Sequence, residues 1–140
     1  MLYKHEENIL NNWLTIKEFI FIGANEIYFE LTNMYSHDGH GFHKSIIDKR
    51  VYMYWNCEPY YANKIFPCFD QPDIKGIYNL EIECDKKYIV LSNEEKEYEK
   101  EHENIKLVKF KKTKIFSSYL FCFVVGEYFE CGETYIYDNY

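Results

Sequence analysis

The sequence has few chain-stiffening residues and little that would take it out of water. Its three prolines, Pro59, Pro67 and Pro72, all fall between Asn56 and Gly76. The longest apolar run, Tyr119 to Val125, is of strand length and far short of what a bilayer requires, so no membrane span is expected. The first residues, MLYKHEENILNNW, lack the basic start and unbroken apolar stretch of a secretory signal. Five cysteines (Cys57, Cys68, Cys84, Cys122 and Cys131) form an odd set without C-x-x-C spacing, which points to reduced thiols. A cytoplasmic location is expected on these grounds.

The familiar catalytic signatures are missing too. His5-Glu6 begins the H-E-x-x-H zinc protease pattern, but Ile9 stands where the second histidine belongs, and His102-Glu103 fails at Lys106. No G-x-S-x-G elbow, phosphate-binding loop or dinucleotide glycine fingerprint is present. Ser117 and Ser118 lie in a strand context that offers no triad.

What is abundant is aromatic surface. Hydrophobic residues make up 47% of the 140 and aromatics 20%, with fifteen Tyr and eleven Phe, so a packed core and an all-β fold are expected. The formal charge of −7 argues against a nucleic-acid partner and against an anionic membrane.

Along the chain, residues 1–25 are ambiguous. Ile9, Leu10, Trp13 and Ile16 have approximate helical spacing, while LTIKEFIFI reads equally as strand. EIYFELTNM then alternates, with Ile27, Phe29 and Leu31 on one face, and predicts a strand. SHDGHGFH is a loop, and VYMYW (Val51 to Trp55) is a short strand. The proline-bearing stretch follows as an ordered connection packed by its own Tyr and Phe, since each proline removes a backbone donor. IYNLEIEC alternates, placing Tyr78, Leu80, Ile82 and Cys84 on one face, and KYIVLS is a further strand. NEEKEYEKEHEN predicts an exposed loop or frayed helix. IKLVKF and SSYLFCFVV predict two strands, the second covered on both faces, and ETYIY a last edge strand. The expected architecture is an antiparallel sheet or sandwich over residues 26–131, with 132–140 as an edge or tail.

Two groups of residues invite a chemical reading. His37, His40 and His43 fall at intervals of three in a loop with two glycines, which raises the question of a metal site. Loop or strand backbone at that spacing does not aim three rings at one point, and surface histidines are the plainer reading. Glu58 sits between a strand and Pro59, where a stiff backbone fixes its direction, and a carboxylate held there can receive an ammonium group. Composition and spacing alone favour an ordinary surface glutamate.

The ordered motifs add more. Gly39-His-Gly-Phe-His43, Val51-Tyr-Met-Tyr54, Asn56-Cys-Glu-Pro59, the run FPCFDQPDIK from Phe66 to Lys75, Leu91-Ser-Asn93, and Ser118-Tyr-Leu120 with Phe123-Val-Val-Gly-Glu127 closely resemble the N-terminal domain of the aminopeptidase N family, the zinc-dependent gluzincin aminopeptidases. The resemblance covers roughly Glu26 to Cys131. It implies a saddle-like, mostly antiparallel β domain preceding a thermolysin-like catalytic domain. It also implies that Glu58 helps bind the free α-amino group of a peptide substrate, with Asn56 beside it. Asn56 stands where the family has Gln, one methylene shorter, and Trp55 replaces a small hydroxyl residue. The family's zinc ligands, catalytic base and G-A-M-E-N loop have no counterpart in these 140 residues.

The chain alone is therefore expected to bind no zinc or other cofactor and to cleave no peptide. Its expected partners are a peptide N-terminus and the missing catalytic domain. The alternative is a non-catalytic binding or scaffold protein derived from the same domain.

Overall fold

The computed structural model describes residues 9–10, 13–14, 21–129 and 131. In chain order its strands are β1 (Ile9–Leu10), β2 (Trp13–Leu14), β3 (Gly41–Ile47), β4 (Arg50–Asn56), β5 (Lys75–Gly76), β6 (Glu81–Asp85), β7 (Ile89–Ser92) and β8 (Lys96–His102). β9 (Ile105–Phe110), β10 (Phe116–Ser117) and β11 (Phe123–Gly126) complete them, and two short 3-10 helices cover Ala62–Lys64 and Ser118–Leu120. Every strand pairing is antiparallel, so the fold is all-β as expected.

Two sheets hold most of the strand residues, one ordered β3-β4-β11-β7 and the other β6-β9-β8. The β3–β4 hairpin closes through Asp48 and Lys49, at φ 50° and 67°. Left-handed residues at both turn positions give the twist that a two-residue hairpin needs. β11 is the covered strand of the first sheet, between β4 and β7, as its apolar composition requires. It comes so close to β4 that a Cβ on Gly126 would lie 2.6 Å from the Val51 carbonyl oxygen.

The sheets share a core of Val90 and Val125 from the first with Val108 and Phe110 from the second. The alternation read in IYNLEIEC is realised: Leu80, Ile82 and Cys84 pack against that core, although the strand proper begins only at Glu81. A second cluster, Cys57, Ala62 and Ile65, fills the space under the proline-bearing connection. Phe42, Trp55, Phe66 and Tyr119 wall it in. Trp55 joins the two clusters edge-on, 4.9 Å from Phe123 and 5.5 Å from Phe121 between ring centres.

Four sequence expectations need correction. SHDGHGFH is loop only as far as His40, because Gly41–His43 already belong to β3. The segment Glu26–Met34 forms no strand, and Ile27, Phe29 and Leu31 are 48%, 38% and 51% exposed. Alternation specifies an apolar face, but a strand needs a neighbour for its backbone groups, and none pairs with it among the described residues. NEEKEYEKEHEN is neither loop nor helix: it supplies β8, an edge strand that its charges suit. Glu97 and Glu99 meet Lys109 and Lys106 of the adjoining β9. SSYLFCFVV is not one strand, because Ser118–Leu120 turns as a 3-10 helix between β10 and β11. The Ser118 hydroxyl is drawn to Asp70, and the Cys122 amide donates to Asn93 Oδ1 at 2.8 Å instead of to a ladder.

At the start of the chain, Ile9–Leu10 pairs with Trp13–Leu14 as short antiparallel strands, so the helical spacing read at Ile9, Leu10 and Trp13 marks no helix there, and LTIKEFIFI lies mostly outside the described residues. The edge strand expected in ETYIY lies outside the described residues.

Candidate functional site

Asn56 ends β4 opposite Gly41, and its Nδ2 donates to the Gly39 carbonyl at 2.8 Å. Gly41 must be glycine: its φ is +94°, and a Cβ there would meet Ser36 Oγ at 2.6 Å. Cys57 then plunges into the lower cluster at 2% exposure. The chain reverses across Glu58-Pro59, and the Tyr61 amide donates back to the Cys57 carbonyl at 2.8 Å. Glu58 rides outside this turn, exposed, with no hydrogen bond or ion pair among the described residues.

The histidine loop braces the same turn. Asp38 Oδ2 accepts from Lys64 Nζ at 2.6 Å and Oδ1 from the His40 amide at 3.1 Å. These donors hold the Asp38 carboxyl down at about 2 from its ordinary 3.8, the Lys64 hydrogen bond acting most strongly. The His40 ring stacks on Tyr61 at 3.8 Å. His43 lies in β3, buried and stacked on Tyr54 at 5.0 Å, with its Nε2 unpartnered. His37 lies beside Tyr35 and Lys44 along an open groove. The three histidines thus take three separate jobs.

No three His, Cys, Asp or Glu side chains converge on a metal-sized site among the described residues. The donor set of a catalytic zinc is therefore not found among the described residues. Nor are Cys57 and Cys68 poised as nucleophiles. Burial, followed by the nearby Asp70 carboxylate, pushes Cys57 up to about 12 and Cys68 up to about 11. The hydroxyls of Ser117 and Ser118 are engaged as donors to the Pro72 carbonyl and to Asp70 Oδ1.

The chemistry this arrangement offers is recognition: a free carboxylate on a turn held at both ends, suited to an ammonium group. Asn56 stands two residues away with one amide hydrogen already committed to Gly39, and its Oδ1 has no donor among the described residues. Sequence reasoning passed over Asp70, which accepts from Asn63 and Ser118. Its signal was its place in the run FPCFDQPDIK, where an acidic residue directly follows the apolar Phe-Pro-Cys-Phe.

The sequence profile described as the Peptidase M1 N-terminal domain matches residues 11–120. Among curated relatives, the "Probable M1 family aminopeptidase 1" of Encephalitozoon cuniculi is 36% identical over 107 residues, 75% of this chain and 12% of that protein. "Aminopeptidase M1-A" of Oryza sativa is 35% identical over 101 residues, 68% of this chain and again 12% of the relative. "Glutamyl aminopeptidase" of Mus musculus is 42% identical over 72 residues, 51% of this chain and 8% of the relative. The chain thus spans about an eighth of the length of the first two relatives. With the braced turn and the ordered motifs, these matches show that the chain belongs to the M1 family of aminopeptidases, in that family's N-terminal β domain.

Proposed function

We propose that these residues form the substrate-side wall of an aminopeptidase, in which Glu58 receives the α-ammonium group of a peptide. The observation that carries this reading is the uncommitted Glu58 carboxylate on a turn whose flanking backbone is bonded in place. An exopeptidase must pair with one terminal charge and leave no room for chain beyond it. A carboxylate closing the end of a pocket does both. Asn56 supplies a second polar contact through Oδ1.

The zinc and the catalytic base belong, in this proposal, to a catalytic domain outside these 140 residues, and residues 1–140 alone hydrolyse no peptide. The exposed apolar side chains of Ile22, Tyr28, Leu31 and Met34 support a surface that such a domain covers. A cytoplasmic setting is part of the same proposal, supported by five unpaired thiols.

The test is Glu58→Gln in the complete polypeptide that carries these residues, assayed with an amino-acid anilide and its N-acetylated counterpart. Loss of a charge-assisted pair predicts a KM about 10- to 100-fold higher for the free amine and a collapse of selectivity between the two substrates. Unchanged kinetics on both would reject the assignment.

A further inference from the structure

Glu58 cannot hold an ammonium group in a fixed place unless its own backbone is fixed, and the bonds on the downstream side of its turn lead through Asn63 to Asp70. Asp70 Oδ2 accepts from the Asn63 amide at 3.0 Å and from Asn63 Nδ2 at 2.5 Å. The second hydrogen of that Nδ2 goes to the Tyr60 carbonyl at 2.8 Å, two residues after Glu58. Asp70 Oδ1 accepts from Ser118 Oγ at 3.1 Å. Ser118 is buried and opens the 3-10 helix that leads into β11, which pairs with β4, the strand that delivers the chain to Glu58.

The bonds therefore close a ring: from β4 through the Glu58 turn to Asn63, across Asp70 to Ser118, and by β11 back to β4. Its two polar joints both fall on one carboxylate, which accepts three hydrogen bonds. Bonds to an ionised acceptor are shorter and about twice as strong as neutral ones, and they fix direction as well as distance. Glu58 itself takes no part in the ring.

We propose that Asp70 is the positioning residue for Glu58. It never touches the substrate. It sets where the ammonium-binding carboxylate stands by clamping Tyr60 and Asn63 on one side and Ser118 on the other. The inference rests on the reading of Glu58 given above and extends it to a residue that no motif-level role explains. It also accounts for why the FPCFD run, the Glu-Pro turn and Ser118-Tyr-Leu120 occur together: they are three sides of one clamp.

The test compares Glu58→Gln, Asp70→Asn, Asn63→Ala and the double variant Glu58→Gln/Asp70→Asn in the complete polypeptide, with kcat and KM for an amino-acid anilide. Asp70→Asn keeps the shape but can no longer accept at both ends. It is expected to raise KM about tenfold while kcat stays within about twofold. Asn63→Ala, which leaves the charge in place, is expected to move KM in the same direction. Where Asp70→Asn does not fold, Asn63→Ala carries the test. In the double variant Asp70→Asn should add little, because a displaced Glu58 and an absent carboxylate are the same loss.

If Glu58→Gln raises KM but Asp70→Asn and Asn63→Ala leave it at the wild-type value, the clamp is overturned and the Glu58 reading stands. The clamp is equally overturned if these variants lower thermal stability alone, or if their effect adds fully to that of Glu58→Gln. If Glu58→Gln has no effect, both inferences fall together.

Discussion

The two main sheets share a core, yet opposite chemistries hold them. The β3-β4-β11-β7 sheet and its proline-bearing connection are tied by side chains that bond to backbone: Asn56 to Gly39, Asn63 to Tyr60, Ser117 to Pro72 and Asn93 to Leu120. Rings fill the space between. The β6-β9-β8 sheet is charged, and in it Glu81, Glu97 and Glu99 answer Lys109 and Lys106 across neighbouring strands. Bonds to backbone fix irregular chain where no ladder can form, whereas cross-strand ion pairs decorate a ladder that already exists. The sheet that carries the candidate site is accordingly the one whose geometry depends on single residues.

The sharpest way to break that contrast is Gly126→Ala. The added Cβ would lie 2.6 Å from the Val51 carbonyl oxygen and 3.0 Å from Tyr52 Cα, both backbone atoms that cannot swing aside. That carbonyl also accepts from the Glu127 amide at 2.9 Å, so moving it costs a second contact. Overpacking of this kind costs about 3 kcal/mol. Urea unfolding should show the loss, and a midpoint equal to wild type would mean that β4 and β11 are not pressed together.

A smaller effect tests the charged sheet. Lys106 runs along the core face of β9 in line with Val108 and Phe110, its side chain 7% exposed, and its Nζ reaches Glu99 at 2.7 Å, 30% exposed. Glu99→Ala strands a buried ammonium group and should cost about 1–2 kcal/mol, a partly exposed partner reducing the figure for a fully buried pair. Lys106→Met removes the charge with its desolvation penalty and keeps the stem, so it should lie within about 1 kcal/mol of wild type. A larger loss from Lys106→Met than from Glu99→Ala would mean that the pair itself holds the sheet.

The same contrast explains what the sequence disclosed. Alternation revealed β6 because it forms an ordinary ladder with β9 and has one apolar face. It misled at Glu26–Met34, where the pattern is present and no partner is. It was silent at β8, where both faces are polar because the strand lies at an edge and its partners are lysines of β9. Glu58 and its turn became legible only through ordered motifs, since a lone exposed glutamate has no periodicity. Asp70 stayed hidden for the opposite reason: its partner Ser118 comes from a distant stretch of chain, and only folding brings it and the nearer Asn63 to one carboxylate.

The smallest expected effect concerns the exposed brace of the site. The Lys64 hydrogen bond, then the His40 amide, hold the Asp38 carboxyl at about 2, below its ordinary 3.8. A carboxyl depressed on folding adds stability above its unfolded value and loses it as pH falls through the folded one. The contribution should thus be complete above about pH 4 and vanish towards pH 2. Because the pair is exposed, the global unfolding midpoint should barely move, and only a local probe will register it. Carboxyl-detected NMR should find Asp38 titrating near pH 2 in the wild-type chain and higher, though still below 3.8, in Lys64→Met, where the His40 amide still donates to Oδ1. An Asp38 midpoint of 3.8 in the wild-type chain would show that the histidine loop is not tied to Lys64. The Glu58 turn would then rest on its backbone bonds and the Asp70 clamp, with the His40–Tyr61 stack and the Asn56 bond to the Gly39 carbonyl still joining it to the loop.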